Sequence, residues 1–411
     1  MDLFLGGKMN LLTLLSTIVF LSPYLFSQEL LTTGGKKMPN VWIDEDTRHE
    51  VMRLTRREGN SRSFYFHNDP FILGRNGEGD RMVFFGTDES GSQIFTVNLS
   101  TLKIEKLTED HSLKFGEIVG RRNHNIYYQH RDSVSSVNAD THESKLVYVF
   151  PKDFLGSITC LNADEMLLGG VSTPRFRDSL FRPSGLKRPN LEEMFQIESK
   201  RPHTLFTINL KTLQLTKIFT DTAWLNHLQF SPTDISSMLF CHEGTWQKVD
   251  RIWTINTDEG QPKLIYERTM PMEIAGHEWF SPDGQTIWFD LQRPRGVTFF
   301  VGGVNVNTDK LTQYQLTRNE WSVHYTISPD EKMFAGDGGD TNSVAHANDG
   351  KWIYLFTPEG DHLKAERLVN MKYDNYHLEP NVHFSPDGRW VIFRGDFEGF
   401  ESVYAVRVRK N

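Results

Sequence analysis

The chain has 411 residues, of which 38% are hydrophobic and 12% aromatic, so it can bury one large core or two to three ordinary ones. Its formal charge of −8 and pI near 6.0 exclude a protein whose whole surface binds nucleic acid, because such a surface is basic. An anionic ligand must therefore be held by a local cationic group. Only two cysteines occur, Cys160 and Cys241, which excludes a disulfide framework.

The N-terminus carries the apolar run "MNLLTLLSTIVFLSPYLF", which follows Lys8 and precedes the polar stretch "SQELLTTGGKK". This order of basic, apolar and polar segments is typical of a secretory signal, and the run is marginal in length for a bilayer span. We expect residues 1–28 to be a signal peptide and the chain to be exported to the periplasm, with no membrane attachment after cleavage. A noncleaved anchor is the alternative.

A turn motif related to "FSPDG" recurs in the second half of the chain. Its serine stands at Ser231, Ser281, Ser328 and Ser385. Strand-like apolar runs such as "QTIWFDL" and "RWVIFRG" follow each turn, and weaker copies precede the first one, giving seven units. Units of roughly 40–50 residues with four short strands are typical of β-propeller blades.

The sequence therefore predicts an all-β fold, a single seven-bladed β-propeller over residues 40–411. The segment 41–55 precedes the first unit and is expected to pair with the C-terminal "SVYAVRVR". Such pairing closes the ring and removes exposed strand edges.

A polar residue stands four positions before each turn serine. These residues are His227, His277, His324 and Asn381, and His67 of "YFHNDPF" is a fifth candidate. The strand before the turn lines the channel of a propeller, so we expect these side chains to meet around one axis. Neutral imidazoles in a narrow channel need a carboxylate or a metal, although a repeat can also retain histidine for packing. We expect His67, His227 and His324 to contact substrate.

The last copy, "NYHLEPNVHFSPDG", is the richest in metal-ligand residues: His377, Glu379, Asn381 and His383. Alternate residues of a strand face the same side, so these side chains are expected to point together. Combined with His277, they predict a mixed nitrogen and oxygen site for a divalent ion such as Mn²⁺ or Zn²⁺.

Several of these segments resemble the oligogalacturonate lyase family, polysaccharide lyase family 22. They are "YFHNDPF", "FCHEGTW", "GHEWFSPDGQTIWFD", "HYTISPD" with "FAGDGGD", and "HLEPNVHFSPDGRWVIFRGDFEG". The resemblance covers nearly all of residues 40–411 and is strongest from Phe240 onward. It implies a seven-bladed propeller, a divalent metal, Mn²⁺, in the central funnel, and β-elimination on short uronate chains. The expected partner is thus a short acidic oligosaccharide, oligogalacturonate.

The resemblance also assigns roles residue by residue. His277 matches a family metal ligand, and His242 of "CHEG" matches the residue that abstracts the proton. The family's other ligands come from a run just before the last turn, where this chain has "HLEPN", so His377, Glu379 and Asn381 are the matching candidates. This run departs from the Gln-and-two-His pattern of enterobacterial members, which leaves the metal and the substrate open.

Three further residues are candidates for contacts with the sugar acid. Arg251 lies one strand from His242, and an arginine fork binds a carboxylate in a bidentate manner, so we expect it to act beside His242. Arg201 belongs to the long, locally basic insertion 172–203, for which a solvated surface loop is the alternative. Trp246 offers an apolar face for a sugar ring or belongs to the core.

Two other classes of protein share parts of this pattern. A noncatalytic propeller of the TolB type has "SPDG" repeats but does not require the inward histidine and glutamate set. A serine hydrolase with a propeller cap requires a G-x-S-x-G elbow, and the sequence has none. Within the lyase interpretation, rhamnogalacturonan fragments or another uronate are alternative substrates, and the sequence predicts no oligomeric state.

Overall fold

The computed structural model describes residues 29–75, 77–111, 114–173 and 190–410. The predicted signal peptide lies outside these ranges, as do residues 174–189 of the basic insertion 172–203. Within the described ranges, no helix has both the length and the apolar character needed to cross a membrane.

Strands dominate the described residues, which confirms the predicted all-β class. Three short strands come first: β1 (Leu30–Leu31), β2 (Val41–Asp44) and β3 (Glu50–Arg53). One sheet then contains β4 (Ser61–Arg62), β5 (Phe71–Ile72), β6 (Arg81–Asp88), β7 (Gly91–Asn98) and β8 (Ile104–Lys106). The next contains β9 (Phe115–Val119), β10 (Asn125–His130), β11 (Ser133–Asn138) and β12 (Ser144–Val149).

Two more four-stranded sheets follow. The first contains β13 (Gly156–Leu161), β14 (Leu167–Ser172), β15 (His203–Asn209) and β16 (Leu215–Asp221). The second contains β17 (Leu225–Phe230), β18 (Ser237–His242), β19 (Ile252–Asn256) and β20 (Pro262–Leu264). One α-helix, α1 (Leu191–Glu198), precedes β15 and starts at a capping box formed by Asn190 and Glu193.

The next sheet has eight strands. Its first half contains β21 (Ile274–Phe280), β22 (Thr286–Gln292), β23 (Phe299–Asn305) and β24 (Leu311–Leu316). Its second half contains β25 (Tyr325–Ile327), β26 (Phe334–Gly336), β27 (Trp352–Glu359) and β28 (His362–Asn370). The two halves meet through a parallel pairing of Gln315 with His362.

The last sheet joins the two ends of the described chain. The final strands are β29 (His383–Phe384), β30 (Trp390–Gly395) and β31 (Ser402–Arg407). Strand β31 pairs with β3, with Val406 opposite Val51, so segment 41–55 pairs with the C-terminal strand as predicted. Trp42 is fully buried in this sheet and packs edge-on against Tyr404. Apolar side chains from both ends thus stabilise the closing sheet.

Strands β17 and β21, each at one edge of its sheet, carry bulges at the positions that the repeat marks. In β21 the register shifts between Gly276 and Trp279, and in β17 it shifts between Asn226 and Gln229. The two histidines inside these shifts, His227 and His277, have positive φ angles of 51° and 45°. A bulge turns a side chain away from the regular alternation, so here the local backbone decides where each imidazole points.

Candidate active site

Three histidine rings lie around Tyr65, and a fourth lies against one of them. The Tyr65 ring centroid lies 5.0 Å from those of His67 and His324 and 5.6 Å from that of His227. The His277 ring centroid lies 4.9 Å from that of His324. The structure therefore brings together all four histidines that sequence analysis placed near the axis.

Tyr65 belongs to a segment, residues 65–68, that lies among the inner strands of several sheets and is called the floor segment below. The Tyr65 backbone N–H donates to Glu117 (2.5 Å), and that of Phe66 donates to Asn381 Oδ1 (2.9 Å). The Phe66 ring stacks on His324 at 4.9 Å. Gln229 donates to His67 Nδ1 at 3.3 Å. These bonds come from different sheets and fix the floor segment in place.

An aspartate fixes the rings of both His277 and His324, and His277 is the more exposed of the two. Its side chain is 28% exposed, and Nδ1 donates to Asp290 Oδ1 at 2.8 Å, which leaves Nε2 open. Burial lowers the pKa of His277, but the hydrogen bond and the charge of Asp290 outweigh it and raise that pKa above its ordinary value. An imidazole oriented in this way can accept a proton at Nε2.

His324 is held in the same manner but is buried. Its Nδ1 donates to Asp337 Oδ2 and its backbone N–H donates to Asp337 Oδ1, both at 2.8 Å. The side chain is 1% exposed, and Nε2 is buried without a hydrogen-bond partner. Glu379 Oε2 is the nearby anion, 3.9 Å from Nε2. A buried ring nitrogen without a partner beside a carboxylate is suited to a metal ion.

His227 lies in a closed ionic network. Arg251 is 3% exposed and donates to both carboxylate oxygens of Glu243 (3.0 and 3.1 Å) and, from Nε, to Glu278 (2.9 Å). His227 lies 3.5 Å from Glu243 and 3.6 Å from Glu278. Burial lowers the pKa of His227 to about 4, so its imidazole is neutral near pH 7. Burial disfavours the charged guanidinium, yet the neighbouring anionic groups hold the pKa of Arg251 well above its ordinary value.

The structure does not bring His242 to the histidine cluster. Its ring stacks on Trp253 with centroids 4.8 Å apart. Cys241 donates to Glu243, so these two side chains face the ionic network, and the alternation of β18 turns His242 to the other face. Trp246, by contrast, reaches the network, because its Nε1–H donates to Glu243 at 3.0 Å.

The expectation that residues 377–383 form one strand with aligned side chains is wrong. A 3₁₀ turn (Tyr376–Leu378) carries an exposed His377, and Glu379 and Asn381 then have positive φ angles of 45° and 51°. The Asn381 side chain is engaged on both sides, since Oδ1 accepts from Phe66 and Nδ2 donates to the Glu379 carbonyl. Of the three predicted ligands in this run, Glu379 alone reaches His324.

Two other predicted contacts lie outside the histidine cluster. Arg201 follows α1, and its backbone N–H donates to the carbonyl of Glu198. His383 contacts the floor segment from β29, where its Nε2 lies 3.1 Å from the Asn68 carbonyl. Four arginines of the basic insertion fall outside the described residues: Arg175, Arg177, Arg182 and Arg188.

Three acidic residues of the cluster were not predicted from sequence as site residues: Glu243, Glu278 and Asp290. The repeat contained a signal for Asp290, because Asp290 and Asp337 each stand 13 residues after the histidine they bind. Glu278 directly follows His277, but its inward orientation depends on the bulge, which no alternation pattern predicts.

The charges of the cluster favour a bound cation. Five carboxylates lie near two guanidinium groups in this cluster. The guanidinium groups belong to Arg251 and Arg394, and the carboxylates belong to Glu243, Glu278, Asp290, Asp337 and Glu379. No group of three or more His, Cys, Asp or Glu side chains in the described ranges is arranged to hold a metal by itself. The unpartnered His324 nitrogen and the Glu379 carboxylate nevertheless fit a divalent ion that takes its remaining ligands from substrate and water.

A cavity of about 680 Å³ borders the floor segment. Phe66, His67 and the turn serines Ser231 and Ser281 line it, whereas His277, His324 and Glu379 do not. His67 is therefore the histidine of the cluster that also contacts this cavity.

Comparisons with known proteins agree on one family. A family model described as oligogalacturonate lyase matches residues 33–411. The oligogalacturonate lyase of Dickeya dadantii (strain 3937) is 26% identical over 395 residues, covering 91% of this chain and 98% of that protein. The oligogalacturonide lyase of Pectobacterium atrosepticum is 24% identical over 393 residues, with the same two coverages of 91% and 98%. A solved oligogalacturonate lyase in complex with manganese is 22% identical, with a TM-score of 0.75 over 92% of this chain and 98% of that one.

Proposed function

Because this chain belongs to the oligogalacturonate lyase family, we propose that it cleaves short galacturonate chains by β-elimination and releases 4,5-unsaturated products. One observation carries the assignment of roles. His277 and His324 lie 4.9 Å apart, each is fixed by an aspartate at Nδ1, and each has Nε2 free. One open imidazole and one buried imidazole beside a carboxylate provide a base next to a metal ligand.

His277 is the proposed base. β-Elimination removes the weakly acidic C5 proton of a uronate and breaks the C4–oxygen bond, which leaves a C4=C5 double bond and a new saccharide end. His277 Nε2 is exposed enough to receive the proton, and Asp290 stabilises the imidazolium that forms. This proposal differs from the sequence-based one, in which His242 was the base and His277 a ligand.

His324 and Glu379 would hold the divalent ion, for which we propose Mn²⁺, because a solved member of the family was obtained with manganese. When bound, the ion supplies positive charge that attracts the uronate carboxylate and stabilises the charge developing beside it. Asp337 orients His324 through Nδ1, and Phe66 packs on the ring and keeps water from its face. The excess of carboxylates explains why a polyanion needs this cation to bind here.

The proposed architecture is a seven-bladed propeller that forms one domain over residues 40–411. Four sheets each contain one unit of the repeat, the eight-stranded sheet contains two, and the sheet that joins both ends contains the seventh. The single parallel pairing between β24 and β28 supports counting the eight-stranded sheet as two blades. The solved relative shares the fold with a TM-score of 0.75.

We further propose that the chain acts outside the cytoplasm. The support is the leader at residues 1–28, which has the order of a secretory signal and leaves the first described strand, β1, intact after cleavage. Export predicts that the N-terminus of the secreted protein begins close to residue 29. N-terminal sequencing of the periplasmic fraction tests this, and a chain that retains Met1 in the membrane fraction would contradict it.

An assay with a panel of short uronates tests the proposed function. Mn²⁺-loaded protein is incubated with digalacturonate, trigalacturonate, rhamnogalacturonan fragments and other short uronates, and the ultraviolet absorbance of the unsaturated product is followed. We expect product from the galacturonate chains and none after chelation. Activity with another uronate alone would shift the substrate class, and no product from any of them would favour a noncatalytic, TolB-like binding protein.

A further inference from the structure

We infer that Arg295 binds the carboxylate of a second uronate unit, next to the unit whose carboxylate lies at the divalent ion. The inference rests on the proposed function, since it assumes that a chain of uronates reaches the histidine cluster. It goes beyond that function by naming the residue that makes the protein prefer two adjacent acidic sugars over a single one.

Arg295 lies beside the ionic network of the cluster. Its guanidinium carbon is 5.8 Å from the centroid of the Trp246 ring. The indole Nε1–H of Trp246 donates to Glu243 at 3.0 Å, and Glu243 lies 3.5 Å from His227. Trp246 therefore connects Arg295 to the network, and Arg295 stands at the border of the cluster.

The course of β22 places Arg295 on the side of the sheet away from the repeat turn. This strand starts after the Ser281 turn, passes Asp290, which binds His277, and ends shortly before Arg295. The Arg295 side chain is exposed to solvent. We therefore expect a saccharide bound at His277 to extend out of the cluster toward Arg295.

Hydrogen bonds hold the loop that carries Arg295. The Arg295 backbone N–H donates to the Met272 carbonyl at 2.7 Å, and the Gly296 N–H donates to Gln292 Oε1 at 2.8 Å. Arg318 donates to the Gly296 carbonyl at 2.6 Å. Because the backbone is held on both sides of Arg295, a ligand that binds this side chain does not have to order the loop.

The guanidinium of Arg295 keeps its hydrogen-bond donors for a ligand. The ring of Trp246 attracts the cation through its π electrons and occupies no N–H group. Among the residues that the structure describes, no hydrogen bond or ion pair engages this guanidinium. The neighbouring arginines, by contrast, each pair with a carboxylate of the protein: Arg251, Arg268 and Arg293. A guanidinium with free N–H groups can bind a carboxylate in a bidentate manner.

The charge of the substrate supplies the reason for a second cation. Every unit of a galacturonate chain carries a carboxylate, and the proposed ion attracts one of them. The cluster contains five carboxylates and two guanidinium groups, so it repels the next carboxylate of the chain. Arg295 offsets this repulsion at the border of the cluster. A neutral sugar at the same position would gain nothing from it.

Steady-state kinetics of the Mn²⁺-loaded protein test the inference. Wild type, Arg295→Ala, Arg295→Lys and the matched control Lys248→Ala are assayed with trigalacturonate. Galacturonic acid, which has a single carboxylate, is measured as a competitive inhibitor of each protein. Lys248 is an exposed cation on the same 3₁₀ turn as Trp246, so its removal controls for the loss of one positive charge.

We expect Arg295→Ala to raise KM for trigalacturonate about 10- to 100-fold, the usual contribution of a hydrogen bond to a charged group. Its kcat should stay within a few-fold of wild type, because the contact is made equally in the ground state and the transition state. Arg295→Lys should recover part of the loss, since it restores the charge without the planar fork. Lys248→Ala should match wild type, and the Ki of galacturonic acid should be the same for all four proteins.

Two results would overturn the inference. One is an unchanged KM in Arg295→Ala. The other is an equal loss of galacturonic acid and trigalacturonate binding, which would show that Arg295 acts on the first carboxylate or on the fold. Thermal unfolding of each variant checks that it folds.

Failure of the proposed function gives a different result. If wild type leaves trigalacturonate intact, calorimetry measures the Kd of the uncleaved ligand directly. A weaker Kd in Arg295→Ala, with Lys248→Ala unchanged, would then sustain the inference while the proposed function fails. An active wild type whose Arg295→Ala variant has the same KM would defeat the inference and leave the proposed function in place.

Discussion

His277 and His227 occupy the same position of the repeat, yet their surroundings give them different capacities. Both stand four residues before a turn serine, within a bulge, at positive φ angles of 45° and 51°. Asp290 holds one nitrogen of His277 and leaves the other open, whereas His227 lies between two carboxylates that Arg251 already neutralises in part. The repeat thus places an imidazole in the histidine cluster, and the neighbouring side chains decide whether it can exchange a proton.

The largest expected effect is a difference in kcat between a substitution of His277 and the same substitution of His242. Replacement of His277 by glutamine removes the base, and we expect kcat to fall about 10²- to 10⁴-fold, the usual contribution of general base catalysis. The matched His242→Gln variant should stay within a few-fold of wild type, because its ring stacks on Trp253 away from the cluster. Initial rates of product formation measure both variants, and the reverse ranking would restore His242 as the base.

The ionic network around His227 should matter for stability. Arg251→Met leaves Glu243 and Glu278 as buried carboxylates without their cation, so we expect the free energy of unfolding to fall by about 3–5 kcal/mol. His277→Gln, at the more open position, should change it far less. Denaturant unfolding of the two variants gives the comparison. If both lose the same stability, the division into an open and a closed half of the cluster is incorrect.

Asp374 lies just before the 3₁₀ turn Tyr376–Leu378 and should make the free energy of unfolding depend on pH. Burial raises its pKa to about 7, from an ordinary value near 4 in the unfolded chain. The folded state therefore binds the proton more tightly, and stability should fall as pH rises from about 4 to about 7. Asp374→Asn should remove this decline and gain about 2–4 kcal/mol at pH 8, with little difference at pH 4. Chemical denaturation at both pH values checks it, and parallel pH curves for both proteins would contradict it.

A smaller effect concerns the pH dependence of turnover. Asp290 holds the pKa of His277 above its ordinary value, in opposition to burial. The base works when it is deprotonated, so Asp290→Asn should lower that pKa and move the acid limb of kcat/KM to lower pH. The expected loss of maximal rate is smaller than that of His277→Gln, because the imidazole remains. An acid limb that stays in place or moves to higher pH would show that Asp290 does not tune His277.

The sequence predicted the all-β class, the family and the pairing of the two chain ends, because these depend on repeated strand and turn patterns. It also placed His67, His227, His277 and His324 near one another. It misplaced the run 377–383 because alternation applies to extended strands, and Glu379 and Asn381 adopt positive φ angles. Likewise, the sequence of β18, which carries His242, does not indicate which face of that strand contacts the ionic network.

The most direct test compares His277→Ala with His324→Ala for both Mn²⁺ binding and turnover in the same preparations. The assignment of a base beside a metal ligand predicts that His277→Ala binds Mn²⁺ like wild type and forms no unsaturated product. It predicts that His324→Ala loses the ion, because the substitution removes the buried Nε2 that is the proposed imidazole ligand. A His277→Ala protein that loses Mn²⁺ as well would make His277 a ligand and contradict the proposed division of roles.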